Sequence, residues 1–230
     1  MSSFPFAAVL FDCDGVLVDS EPITMRVLAE ALGELGWAIS HEEAMEIFKG
    51  KAVRDEAPLI QEKTGFALTQ EWMASFWARR NAALEVELEE ISGAGKAVRE
   101  IHEMLDGRIA VASGADRRKV ELQLARTGML EHFAGRIFSG HEMARSKPFP
   151  DVYLAAAHAL GVDAARCAVI EDTVTGAAAG VAAGATVFGY SPDEPGHSGP
   201  RALLEAGVVQ VFRDMSELPR VLHDWRSGQR

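Results

Sequence analysis

The stretch AVLFDCDGVLVDSE, residues 8–21, carries an apolar run straight into Asp12 and Asp14, with Asp19 and Glu21 close behind. A short apolar run of this kind predicts a buried strand, which places Asp12 and Asp14 at its carboxyl end. In open α/β sheets that end is where ligands bind. Side chains alternate along a strand, so Asp12 and Asp14 point to one side and Cys13 to the other. Gly15 then permits a sharp departure of the chain. Two carboxylates held this close either share a proton or surround a hard cation such as Mg²⁺. A solvated turn after a strand is the bland alternative.

Outward from this stretch, strand-length apolar runs recur at 108–113 (RIAVAS), 135–140 (GRIFSG), 167–171 (CAVIE), 185–190 (ATVFGY) and 208–212 (VVQVF). Most are apolar throughout, as strands covered on both faces must be. Segments of helical periodicity separate them: GAGKAVREIHEML, DRRKVELQLARTGM, DVYLAAAHALG and TGAAAGVAAG. Alternating strands and helices predict a parallel sheet between helical layers. One interval breaks the rhythm. Residues 18–87 carry only helical patterns, punctuated by Gly36, Gly50 and Gly65 as helix ends, and read as a helical cap inserted after the first strand. Residues 1–17 and 88–230 form the core domain in this reading.

The 230 residues are 48% hydrophobic and 25% charged, enough to bury a real core. The formal net charge of −11 argues against nucleic acid and anionic membranes, where affinity rests on neutralising phosphates. The longest basic run is Arg117-Arg118-Lys119. Cys13 and Cys167 lie in apolar surroundings and read as buried small hydrophobes in a reducing compartment. With no signal-like leader and no stretch of transmembrane length, a cytoplasmic location is expected.

Other predicted strand ends offer complementary groups. Ser113-Gly114 ends one strand before a helix, suiting either a phosphate oxygen or a plain helix cap. Lys147 precedes the extended Pro148-Phe149-Pro150 and can neutralise a phosphate or simply be a solvated loop charge. Glu171 and Asp172 end another strand and add carboxylates for a cation. Each signal is modest alone. Together, in this order, they are specific.

DCDG (12–15), Ser113, Lys147 of KPFPD and EDTVTG (171–176) make the chain resemble the haloacid dehalogenase superfamily, in the branch of β-phosphoglucomutase and the sugar-phosphate phosphatases. FKG (48–50) and FSGHEMARSKPFPD (138–151) look most like bacterial 6-phosphogluconate phosphatases. The resemblance runs nearly end to end and implies a Rossmann-like three-layer core with a helical cap, a monomer, and a small phosphorylated metabolite as substrate. It implies that Asp12 attacks phosphorus and that Asp14 serves the leaving oxygen and then the water as acid and base. Mg²⁺ would be held by Asp12, the Asp14 carbonyl and Asp172, with Glu171 in support. Ser113, Gly114 and Lys147 would bind the phosphoryl group.

Departures narrow the reaction. The mutase carries a histidine ten residues after its second aspartate, where Thr24 stands here, although Arg54 sits one step from the mutase's cap arginine. Hydrolysis is therefore favoured over the mutase. Asp14 disfavours dehalogenation, because a halide leaves without a proton. A metal-binding regulatory protein without turnover is the non-enzyme alternative. In the cap, Lys49, Lys51 and Arg54 suit an anionic sugar or are a solvated helix end. Trp72, Phe76 and Trp77 read as cap core, because their apolar neighbours recur at i, i+4.

Overall fold

The computed structural model describes residues 4–48, 53–192 and 197–225. It divides into two compact units, one of residues 1–18 with 90–230 and one of residues 19–89.

The inserted unit contains α1 (Glu21–Glu34), α2 (His41–Phe48), α3 (Ala57–Thr64) and α4 (Gln70–Glu87). Local chemistry sets its helix ends. Ser40 and Glu43 exchange hydrogen bonds, the Ser40 N–H donating to Glu43 Oε2 at 2.7 Å and the Glu43 N–H to Ser40 Oγ at 3.1 Å. Such a capping box satisfies two otherwise orphaned donors at the start of α2. Gly65, with φ +72°, ends α3 and donates its N–H to the Gln61 carbonyl. Met25, Leu28, Leu32, Phe48, Ile60 and Phe76 bury together as this unit's core. Trp72 stacks on Phe76 with ring centroids 5.8 Å apart, so these aromatics build the unit's interior.

The core unit adds α5 (Ala94–Met104), α6 (Arg117–Arg126), α7 (Asp151–Ala159), α8 (Val174–Ala182), α9 (Pro200–Glu205) and α10 (Leu218–Asp224) around a sheet. Its described strands are β1 (Ala8–Phe11), β2 (Ile109–Ser113), β3 (Ile137–Ser139), β4 (Cys167–Glu171), β5 (Thr186–Tyr190) and β6 (Gln210–Phe212). All their pairings are parallel, in the order β3-β2-β1-β4-β5-β6. The chain leaves β1 toward β2 on one side and later crosses to β4 on the other. The carboxyl ends beside β1 are thus the switch point of a doubly wound sheet.

Apolar residues of β1, β4 and β5 bury against α7 and α8. The small residues of α8 allow a close approach: a Cβ on Gly180 would crowd Val169 and Val187. A short hinge pairing ties the two connections to the insert, with Val18 bridging both Asp14 and Glu90. Both cysteines are buried and free. Among the described residues no helix is long and apolar enough to cross a membrane.

Candidate active site

β1 ends at Phe11, and the Asp12 N–H still donates to the Ile170 carbonyl of β4 at 3.0 Å. That bond holds Asp12 against the carboxyl end of β4, where Glu171 and Asp172 stand. Oxygens of Asp12, Glu171 and Asp172 lie within 4.8 Å of one another, and all three residues are buried. Gly15, with φ +78°, makes this approach feasible, because a Cβ there would overlap the Asp172 carboxylate. Gly176 on α8 does the same for Glu171.

Lys147 reaches this group from the loop before α7. Its Nζ donates to Asp12 Oδ1 at 2.7 Å and to Glu171 Oε1 at 2.6 Å. Its ammonium also lies 4.8 Å from the centre of the Tyr153 ring. Glu171 is heavily engaged. The Tyr153 hydroxyl donates to Oε1 at 2.8 Å, and Oε2 accepts from the Asp172 N–H, the Thr173 N–H and the Thr173 hydroxyl at 3.0–3.1 Å. Glu171 therefore fixes Lys147 on one side and the Asp172-Thr173 backbone on the other.

The two carboxylates sharing Lys147 behave differently. Burial pushes the Asp12 carboxyl up to about 7, with Lys147 pulling against the rise and Glu171 adding to it. Burial also works against the Glu171 carboxylate, but Lys147 and the Thr173 and Tyr153 donors outweigh it and hold Glu171 below its ordinary range. Lys147 is itself held well above its ordinary value: burial opposes its charge, and Asp12 and Glu171 overcome that penalty. Asp12 is thus the carboxylate short of positive charge. Hard, oxygen-only donors that leave room for water suit Mg²⁺, so the residues present fit a cation held by Asp12 and Asp172.

Asp14 goes elsewhere. Its Oδ1 accepts from Lys119 Nζ at 2.8 Å and from Gln123 Nε2 at 2.7 Å, both on α6. Its carboxylate does not belong to the three-carboxylate group. Ser113 closes β2 beside β1, and its hydroxyl oxygen accepts from the Ala115 N–H at 3.0 Å. The turn beyond it is exposed at Gly114 and braced by Ser139, whose hydroxyl donates to the Ala115 carbonyl at 2.6 Å. In the inserted unit, Arg54 precedes α3 with its guanidinium 5.8 Å from the centre of the Trp77 ring. Lys49, Gly50 and Lys51 lie outside the described residues.

The structure therefore gathers Asp12, Lys147, Glu171 and Asp172, with Ser113 and Gly114 on the neighbouring strand end. Sequence reasoning did not single out Lys119, Gln123, Tyr153 or Thr173. Only the i, i+4 spacing of Lys119 and Gln123 on a predicted helix carried a trace of their shared face.

A family model, haloacid dehalogenase-like hydrolase, matches residues 6–184. The 6-phosphogluconate phosphatase of Escherichia coli K12 is 32% identical over 215 residues, covering 93% of each chain. The phosphorylated carbohydrates phosphatase of Thermotoga maritima is 28% identical, with 90% of this chain and 94% of that one aligned. A crystal structure of a haloacid dehalogenase family hydrolase from Deinococcus radiodurans R1, with bound phosphate and sodium, superposes with a TM-score of 0.76 at 35% identity. It covers 95% of this chain and 96% of its own. With its parallel sheet, its acidic strand ends and these relatives, the chain belongs to the haloacid dehalogenase-like hydrolases.

Proposed function

We propose that this enzyme hydrolyses a small sugar phosphate or related phosphomonoester through a phosphorylated Asp12, with Mg²⁺ as cofactor. The observation that carries the reading is Lys147 Nζ bridging Asp12 and Glu171 at 2.7 and 2.6 Å, with Asp172 completing an acidic group at the switch point. The relatives that act on 6-phosphogluconate and on phosphorylated carbohydrates support the substrate class.

In this account an Asp12 oxygen attacks phosphorus while the bond from phosphorus to the ester oxygen breaks. The released electron pair goes to that oxygen, which takes a proton from the Asp14 carboxyl. Water then attacks the phosphorus of the aspartyl phosphate and gives its proton to the Asp14 carboxylate. Inorganic phosphate leaves and the Asp12 carboxylate is restored. Ser113, the Gly114 turn and Lys147 steady the phosphoryl oxygens as charge shifts among them. Mg²⁺ held by Asp12, Asp172 and the Asp14 carbonyl would supply further positive charge to the phosphoryl group. Glu171 serves from behind by fixing Lys147. The inserted unit acts as a cap that excludes water, with Lys49, Lys51 and Arg54 as its candidate substrate contacts.

The test is phosphate release across a panel of sugar and small organic phosphates with Mg²⁺, with chelator, and with a sugar bisphosphate added. Turnover of 6-phosphogluconate or a similar ester that stops on chelation and ignores the bisphosphate is expected. Turnover confined to β-glucose 1-phosphate, and only with the bisphosphate, would overturn hydrolysis in favour of the mutase.

A further inference from the structure

Asp12 and Asp14 are separated by a single residue, yet each pairs with a different lysine. Asp12 meets Lys147, and Asp14 meets Lys119 from the first turn of α6. Lys119 is 7% exposed, and a lysine so buried needs a defined anionic partner. Its backbone is pinned as well, since the Lys119 N–H donates to the Asp116 side chain that caps α6, at 2.9 Å. One turn on, Gln123 is fully buried and its amide orientation is fixed at both ends. Its Oε1 accepts from the Cys13 thiol at 3.4 Å and its Nε2 donates to Asp14 Oδ1. Lys119 and Gln123 thus converge on one oxygen of Asp14 from one face of α6.

We propose that Lys119, backed by Gln123, is a positioning residue for Asp14: it draws the Asp14 carboxyl toward α6, outside the group of Asp12, Glu171 and Asp172, and fixes where that carboxyl stands for proton transfer. This rests on the phosphatase reading above, in which the ester oxygen receives its electron pair from the broken bond and its proton from Asp14. An alkoxide needs that proton to leave. A dinitrophenolate does not, so in the phosphoryl-transfer step, which kcat/KM reports, misplacing Asp14 harms only the first kind of ester. Hydrolysis of the aspartyl phosphate, common to both, needs Asp14 in either case.

The experiment measures kcat and KM with Mg²⁺ for two esters, the panel's best alkyl phosphate and 2,4-dinitrophenyl phosphate. Lys119→Met is expected to lower kcat/KM on the alkyl ester about 100-fold, the scale of general acid catalysis, while kcat/KM on the dinitrophenyl ester falls less than about 5-fold. Lys119→Arg should recover much of the alkyl activity. In an Asp14→Asn background, Lys119→Met should bring no further loss on the alkyl ester. Lys119→Gln, which keeps a donor in the same space, carries the same comparison where Lys119→Met does not fold. Equal losses of kcat/KM on both esters, no loss on either, or an additive loss in the Asp14→Asn background would overturn the positioning role. Since wild-type turnover of both esters supports the phosphatase reading independently, those results would strike Lys119 alone. A wild type that hydrolyses neither ester would overturn both.

Discussion

Arg26 in the inserted unit and Lys147 in the core unit each grip a carboxylate at 2.7 Å, but in opposite surroundings. Arg26 forks Glu87 between α1 and α4 with both side chains nearly half exposed, 42% and 48%. Lys147 and Asp12 are 8% and 10% exposed. In water such a pair gains little, because solvent screens it and two long side chains must be ordered. Removed from water, the same chemistry is costly to form and far more costly to break. The insert thus sets Arg26 and Glu87 in solvent around an apolar interior, although its α4 also buries Arg80 against Asn81. The core unit buries its charges at one sheet edge, where they bring no packing advantage and are explained by chemistry.

This contrast can be broken or sharpened by substitution. Lys147→Met should have the largest effect. It leaves Asp12 and Glu171 buried side by side without their shared cation, costing about 3–5 kcal/mol of stability by denaturant unfolding. Activity should fall at least about 100-fold, the usual loss when one preorganised donor is removed. Gly15→Ala should come next. The left-handed backbone costs an ordinary residue about 1–2 kcal/mol, and the new methyl would displace Asp172. A shift near 1 Å in such a group can cost about 100-fold in kcat, with a smaller change in melting temperature. Arg26→Ala should do least, changing stability by about 0.2–1 kcal/mol and leaving kcat at the wild-type level. A Lys147 variant no more disturbed than the Arg26 variant would erase the distinction between the regions.

Much of the architecture was readable before any coordinates. The runs at residues 7–11, 108–113, 135–140, 167–171, 185–190 and 208–212 correspond to β1 through β6, because strands covered on both faces must be apolar nearly throughout. CAVIE matches β4 residue for residue. The short helices α9 and α10 escaped, since six or seven residues give too little periodicity to stand out. At the site, Asp12, Glu171 and Asp172 were legible because strand ends place them on one edge, and Lys147 because Pro148 and Pro150 follow it directly. Lys119 was hidden in Arg117-Arg118-Lys119, a run that reads as solvated charge, although only its last member turns inward. Tyr153 was hidden in an apolar helix segment. Its hydroxyl gains meaning only when Glu171 is found 2.8 Å away. Partners brought together over a hundred residues of chain leave no local signal.

The central claim is that Asp12 forms a bond to phosphorus. Acid-quenching a single turnover of a phosphate-labelled ester and mapping the label by peptide mass spectrometry tests it most directly. The label should appear on Asp12 within one turnover, decay as free phosphate forms, and be absent in a folded Asp12→Asn enzyme that no longer hydrolyses the ester. Product released with no protein-bound phosphate at any time, or a label on another residue, would contradict the account.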